Sequence, residues 1–230
     1  MIFACSQANI LEAEMSNTTV RARPRERTQP ARVRTQAERR DAAERAIVDA
    51  AIDIVAERGL DELTLAEAGE AAGYSRGLAA HYFGSKDELV AGIAECVIAR
   101  YTTTLKASGA LRTGLAGIVA SIEHYFEGAA SNPQSMRALH SVLGAAVTKP
   151  SLGSTIAKLN RDGAQSIAHQ IKKGIGAGEI RASVDASTQS VLILAELRGV
   201  VAQWLIEPKQ VDLKRMRKEL VSTVKARLMS

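Results

Sequence analysis

Two short helical segments joined at a glycine constrain this chain more than any other feature. Between Thr64 and Leu89 the sequence reads TLAEAGEAAGYSRGLAAHYFGSKDEL. Thr64 and Glu67 have the spacing of a capping box, and Gly73 is suited to end a helix because glycine enters the left-handed region at little cost. The segment therefore predicts a short helix from about Thr64 to Gly73.

A second short helix and a longer third one are predicted directly after it. Ser75 is a candidate N-cap for a helix that Gly84 ends, and Ser85 with Glu88 repeats the capping-box spacing. Two helices joined by a tight glycine turn form a helix-turn-helix, whose second member normally enters the major groove of DNA. The spacing thus predicts a DNA-reading unit.

The segment from about Arg45 to Leu89 resembles the DNA-binding domain of TetR-family transcriptional regulators. The matching positions are Gly59, Thr64, Ala72, Gly73, Ser75, Arg76, Gly77, His81, Phe83, Lys86 and Leu89. Ala80 departs from the family pattern, because many members carry a tyrosine there, and this puts one aromatic contact to DNA in question. Ala68 and Gly69 stand where a larger aliphatic residue and an alanine are usual.

The side chains around the second helix differ in what they offer to DNA. Arg76 projects early and can present paired donors to a guanine or a phosphate, whereas Gly77 permits close backbone approach. His81 and Tyr82 carry polar tips suited to phosphate oxygens, and Lys86 adds a cation near a helix N-terminus. The complete predicted DNA-binding set is Thr64, Tyr74, Ser75, Arg76, Gly77, Leu78, Ala80, His81, Tyr82 and Lys86.

Several of these residues have a structural alternative. Leu78, with its neighbour Ala79, either contacts a thymine methyl or packs within the domain, and Tyr74 faces either the groove or the turn. His81 could be a hydrogen-bonded core histidine, and Phe83 is assigned to the core.

Positive charge is concentrated before this unit. Residues 21–40 contain eight arginines against two glutamates, whereas carboxylates outnumber cations over residues 41–90. We therefore predict that residues 1–34 are a disordered basic arm that supplies non-specific affinity, with the part around 21–34 entering a minor groove. The alternative is a solvated tail that contacts nothing.

The rest of the chain predicts further helices and no convincing strand. The expected ranges are about 110–130, 132–147, 151–175, 184–206 and 211–229, with Pro133 and Pro150 in first turns and Asp185 and Asp212 as caps. The fold class is therefore all-α with about nine helices. A helix-turn-helix domain over residues 35–84 precedes a helical effector-binding and dimerisation domain over residues 85–230.

The family resemblance implies that the C-terminal helices enclose an effector pocket and pair two subunits through the final two helices. Candidate ligand contacts are the large or polar side chains that interrupt the middle helices: Tyr101, His124, Phe126, Met136, His140, Arg198 and Trp204. Candidate dimer contacts are apolar residues of the last two helices: Val191, Leu194, Leu213, Met216, Leu220 and Val224. Each set could instead be the core of a single chain.

These features together favour a ligand-responsive transcriptional regulator. We expect a repressor that binds a palindromic operator as a homodimer and leaves it when a small, partly hydrophobic effector binds. No nucleophile elbow, phosphate loop or metal-ligand spacing points to an enzyme, and no cofactor is implied. The alternative is a membrane-surface or protein-interaction module built on the basic amphipathic segment from Leu213 to Leu228.

Cysteine usage and hydropathy favour a cytoplasmic protein. Cys5 and Cys96 are far apart and match no disulfide or metal pattern. No apolar run is expected to reach the roughly 20 residues of a membrane span, and the N-terminus does not resemble a signal peptide. Translation could begin at Met1 or at Met15.

Overall fold

The computed structural model describes residues 35–107 and 112–229, and the predicted arm at residues 1–34 lies outside the described residues. Within these ranges the chain forms nine α-helices and no strand, so the all-α prediction is confirmed. The helices are α1 (Gln36–Arg58), α2 (Leu65–Ala71), α3 (Arg76–Phe83), α4 (Lys86–Ala107), α5 (Gly114–Ser131), α6 (Pro133–Ala145), α7 (Pro150–Gly176), α8 (Ala186–Ile206) and α9 (Leu213–Met229).

Side-chain caps fix several helix starts where the sequence predicted them. The Thr64 hydroxyl accepts a hydrogen bond from the backbone N–H of Glu67 at 3.1 Å, and Ser85 accepts one from Glu88 at 3.2 Å. Asp185 accepts hydrogen bonds at the start of α8 from the backbone of the next turn. Each cap satisfies a backbone donor that has no partner inside its helix.

Two predicted capping details are wrong. Ser75 occupies the N-cap position of α3 without a side-chain hydrogen bond to the helix. Glu67 does not close a capping box with Thr64, because its Oε1 lies 2.5 Å from Nη2 of Arg58 in an ion pair with the end of α1. A complete capping box forms instead at Thr35 and Glu38, where α1 begins.

Helix α1 joins the helix-turn-helix to the rest of the molecule. Its apolar stripe, which includes Ile47, Ala51 and Ile54, is buried, and α1 packs against α2, α4 and α6. The stripe of α4 from Val90 to Val97 enters the same core. The core is therefore continuous from the helix-turn-helix into the C-terminal helices.

Helix α8 is more apolar than the sequence analysis expected, since no run of membrane-spanning length was predicted. It is the one helix of the described residues that is long and apolar enough to cross a membrane by length and composition. One such helix is weak evidence of a membrane span, because the core helix of a soluble protein passes the same test. Three of its large apolar side chains, Val191, Leu192 and Ile206, are exposed.

Candidate DNA-binding surface and ligand site

Helix α3 presents one exposed face. Arg76, Gly77, Ala80 and His81 are exposed on it, at the three- and four-residue spacing that places side chains on one side of a helix. Ala79 and Phe83 are buried on the other side. Gly77, which has no side chain, follows Arg76. The start of α3 is therefore the part of the helix whose backbone another molecule can approach most closely.

Gly69 allows α2 and α3 to pack closely at the turn. A Cβ at this position would lie 2.9 Å from the Ser75 carbonyl oxygen, and the Gly69 carbonyl accepts a hydrogen bond from the Tyr74 N–H at 2.9 Å. Gly73, between them, adopts a φ of 80°, which suits glycine. The departure from the family's usual alanine at Gly69 is therefore explained by the close approach of the turn.

Arg76 extends into solvent but has an intramolecular partner. Its side chain is 74% exposed, and its Nε lies 2.5 Å from Oε1 of Glu70 on α2. An ion pair this exposed contributes little to stability because water screens it. Arg76 can therefore exchange Glu70 for a phosphate or a guanine at small cost.

Tyr82 is half-buried beneath the start of α1. The Arg40 guanidinium lies 5.6 Å from the centroid of the Tyr82 ring, within cation–π distance. The His81 ring lies 5.4 Å from that of Tyr82. The N-terminal turns of α1 therefore lie beside α3.

The other predicted DNA-binding residues surround this face. Thr64, Tyr74 and Ser75 are exposed, whereas Leu78 is half-buried. Lys86 is also half-buried, and its Nζ donates to the Asp61 carbonyl oxygen at 3.1 Å.

Among the predicted ligand contacts, Tyr101 and His124 are already hydrogen-bonded. The Tyr101 hydroxyl donates to the Ser121 carbonyl oxygen at 3.1 Å, and His124 Nε2 lies 2.8 Å from the Thr104 hydroxyl. Their rings are 5.3 Å apart. The pair ties α4 to α5.

Two other polar side chains near them lack such partners, while a third, Arg198, has one. His140 Nε2 and the Tyr125 hydroxyl are buried without a hydrogen-bond partner. Burial, with the nearby charge of Arg198, lowers the pKa of His140 to about 4, and burial raises the pKa of Tyr125 to about 12. Burial also lowers the pKa of Arg198, whose Nη1 donates to the Asn160 amide oxygen at 2.5 Å.

Tyr125 is not among the ligand contacts predicted from the sequence, although both of its neighbours, His124 and Phe126, are. Tyr125 and Phe126 are both buried, and the periodicity of one helix does not show which of its buried side chains faces a ligand site. The available signal was the placement of Tyr125 one turn after Ile122, which is also buried.

The apolar ligand candidates divide by burial. Phe126 and Met136 are buried in the core, while Trp204 is half-buried against it. Met136 lies one helical turn before His140, so both face the same side of α6.

The predicted dimer contacts mostly face the chain's own interior. Val224 is 0% exposed and Leu220 is buried as well, so these two belong to the chain's own core. Leu213 and Met216 are half-buried against the same core. The apolar stripe of α9 is thus covered by the chain's own core, with α5 and α8 packed against α9.

Helix α8 carries the exposed apolar surface. Val191 is 57% exposed and Ile206 is 78% exposed, and Leu192 is exposed beside Val191. Leu194 points elsewhere, since its methyl groups would meet a Cβ on Gly163 of α7 at 3.5 and 3.8 Å. Of the six predicted contacts, Val191 has the exposure that a dimer face requires.

Metal ligands do not gather in the part of the chain that the structure describes: no three His, Cys, Asp or Glu side chains there could hold an ion. Cys96 is buried in α4, and Cys5 lies outside the described residues.

The exposed start of α3, set on a tight glycine turn, is the arrangement of a helix-turn-helix DNA-binding protein. Comparison with known families agrees. Residues 47–93 match the model of the bacterial regulatory proteins of the tetR family, and residues 115–229 match that of the C-terminal domain of BetI-type transcriptional repressors. The chain belongs to the TetR family of transcriptional regulators. No curated protein matches it.

Solved structures share the fold at low sequence identity. A protein from Rhodococcus sp. described as a TetR-family regulator superimposes with a TM-score of 0.74 at 21% identity, covering 82% of this chain and 99% of its own. A protein from Saccharomonospora viridis, described as a transcriptional regulator and solved in complex with choline, gives 0.68 at 18% identity, covering 82% and 98%. SmeT, the repressor of a Stenotrophomonas maltophilia multidrug efflux pump, gives 0.66 at 22% identity, covering 81% and 90%.

Proposed function

We propose that this DNA-binding transcriptional regulator is a cytoplasmic repressor without enzymatic activity. It binds a palindromic operator as a homodimer and is released by a small-molecule effector. One observation carries the proposal: the start of α3 is exposed, with Arg76 projecting into solvent beside Gly77, where the backbone has no side chain to hold DNA away. An arginine in this position can donate two hydrogen bonds to a guanine edge.

Phosphate affinity comes from cations next to α3 and from the basic arm. Arg40 on α1 lies over Tyr82 of α3, so the arm joins α1 on the side of the molecule that carries the reading helix. The arm's arginines then reach the phosphates or minor groove next to the site that α3 reads.

Dimerisation is assigned to the exposed face of α8. Val191, Leu192 and Ile206 would leave a large apolar area in water if the chain were a monomer. Ala195 and Gly199 are exposed between them, and such small side chains let a second helix come close. A twofold axis at this face sets two copies of α3 on the half-sites of a palindrome.

Effector release is assigned to α4 and α6. Tyr101 lies on α4 and His140 on α6, and α6 packs against both α4 and α1. Arg100 of α4 also forms an ion pair with Asp49 of α1. The effector would bind among helices α4 to α8 and would bind one arrangement of these helices more tightly than another. Its binding then shifts the population toward the preferred arrangement, which changes the separation of the two reading helices.

The test is selection of bound sequences from a random duplex pool with the full-length protein, followed by fluorescence anisotropy on the consensus. We expect an inverted repeat whose half-sites lie about one helical turn apart. Arg76→Ala should weaken binding by roughly 10- to 100-fold, and the control Arg161→Ala on α7 should leave it unchanged. A protein that binds no duplex at low salt contradicts the proposal, and so does a consensus without twofold symmetry.

The alternative membrane-surface function loses its basis in α9. That reading requires an exposed apolar stripe between Leu213 and Leu228, but Leu220, Val224 and Leu228 are buried. The exposed side of α9 carries Lys214, Arg215, Lys218 and Lys225, and Met229 is its one large exposed apolar side chain.

A further inference from the structure

Five consecutive helices bring polar side chains to one place inside the C-terminal half. They are Tyr101 on α4, Tyr125 on α5, His140 on α6, Asn160 on α7 and Arg198 on α8. The rings of Tyr101 and Tyr125 are 5.8 Å apart, edge to face, and Arg198 donates to Asn160. Arg198 is also near enough to Tyr125 and His140 for its charge to act on both.

Two members of this group have unused hydrogen-bonding atoms. The Tyr125 hydroxyl and His140 Nε2 are out of contact with solvent and have no partner, although the Tyr125 side chain as a whole is about 5% exposed. Buried polar atoms are nearly always satisfied, because losing water without a replacement is costly. Two such atoms around one guanidinium therefore point to a bound molecule.

Arg198 determines the charge of that molecule. The guanidinium has five N–H donors, and its partner in the described residues is the neutral amide of Asn160. No carboxylate of those residues forms an ion pair with it. Arg198 is half-buried; a cation that loses part of its water without gaining a counter-ion is destabilised, and a carboxylate matches its paired donors.

Resting on the function proposed above, we propose that the effector is a small, mainly apolar carboxylic acid bound as its anion. Arg198 binds the carboxylate, and the Tyr125 hydroxyl and His140 Nε2 donate hydrogen bonds to the carboxylate oxygens. The apolar part of the molecule lies toward Met136 and Phe126. The aromatic rings alone would also suit a quaternary ammonium such as choline, but the Arg198 charge repels a cation.

The experiment compares probes that share one apolar tail and carry an anionic, a neutral or a cationic head group. Octanoate, octanamide and octyltrimethylammonium are titrated into the full-length protein without DNA. Binding is measured by calorimetry and by the fluorescence of Trp204, the single tryptophan of the chain. A second series uses benzoate, benzamide and benzyltrimethylammonium. We expect the carboxylate of at least one series to bind at least about tenfold more tightly than its neutral and cationic partners, since a hydrogen bond to a charged group is worth this much.

Variants assign the preference to the site. Arg198→Met should remove the preference for the carboxylate over the neutral and cationic probes. Tyr125→Phe should weaken carboxylate binding roughly tenfold, while the stability of the ligand-free protein should stay the same or increase. The control Arg161→Met, an exposed arginine on α7, should change neither. If Arg198→Met fails to fold, Arg198→Lys keeps the cation without the paired donors and should bind the carboxylate with intermediate affinity.

Three results would overturn the inference: no carboxylate binding, equal binding within each series, or a preference that survives loss of the Arg198 guanidinium. Because no DNA is present, these outcomes do not depend on the proposed function. A carboxylate that binds through Arg198 without weakening operator binding would instead contradict effector release while supporting this ligand class.

Discussion

Nε of Arg76 lies 2.5 Å from Oε1 of Glu70, so the first side chain of α3 is held by the helix that precedes it. DNA must compete with this carboxylate for the guanidinium. Exposed ion pairs contribute about 0.2–1 kcal/mol, so the competition is weak and can be removed by a single substitution.

We expect Glu70→Gln to raise operator affinity about two- to fivefold at low salt, because it frees Arg76 and removes a negative charge near the phosphates. Fluorescence anisotropy measures the change. The control Glu62→Gln removes the same charge from an exposed residue before α2. If Glu70→Gln raises operator affinity more than Glu62→Gln does, the difference is due to the release of Arg76. Equal effects would mean that net charge alone matters.

Glycine substitutions on the two helices should have opposite effects on stability. Gly69→Ala should destabilise the fold by about 1–3 kcal/mol, because its Cβ would lie 2.9 Å from the Ser75 carbonyl. Gly77→Ala meets nothing within 4 Å and should stabilise α3 by up to about 1 kcal/mol.

Chemical denaturation measures both stabilities, and anisotropy measures the DNA affinities of the folded variants. Gly77→Ala should still weaken operator binding, since the added methyl group lies where the backbone approaches DNA. Unchanged affinity in this more stable variant would show that Gly77 is not at the interface.

The dimer face can be tested with one charge. Val191→Glu should produce a monomer, because it buries a carboxylate in an apolar interface. Val147, which is 84% exposed in the turn after α6, provides the control Val147→Glu, which should remain a dimer. Sedimentation velocity distinguishes the two species, and a dimer that survives Val191→Glu would place the interface elsewhere.

The protein should lose stability as the pH is lowered, because His140 titrates at a lower pH in the folded chain than in the unfolded chain. Its pKa is lowered to about 4 in the folded chain against about 6.5 when unfolded. Between these values the unfolded state binds more protons, so stability is lost as pH falls below about 6.5. After allowance for partial exposure we expect a loss of about 1–2 kcal/mol between pH 7.5 and pH 5.

Denaturant unfolding at both pH values gives this difference. His140→Leu should make it smaller, whereas His169→Leu on the exposed side of α7 should not. If both variants keep the full pH dependence, another group causes it.

The basic arm should appear in the salt dependence of DNA binding. Deleting residues 1–34 should lower the slope of log K against log salt by about 0.9 for each phosphate contact that is lost. Replacing the arginines before residue 35 with glutamine keeps the length and should have the same effect. An unchanged slope in both proteins would reject the arm's role.

The sequence by itself determined the helices and the reading unit. Thr64, Ser85 and Asp185 cap the helices whose starts they predicted, and Gly73 and Gly84 occupy positive-φ turns. These signals act within one or two helical turns, so they do not depend on what the helix packs against. The family resemblance rests on the same local residues.

Only the tertiary structure decided what covers each apolar or polar face. The apolar stripe of α9 predicts that one side of the helix is covered, but it does not show by what. In the structure Val224 of α9 faces the chain's own core, whereas Val191 of α8 faces solvent. Likewise, no local pattern connects Tyr125 to Arg198, which are brought together by the packing of separate helices. Periodicity fixes the direction of a side chain around its own helix, whereas its neighbours depend on how distant segments pack.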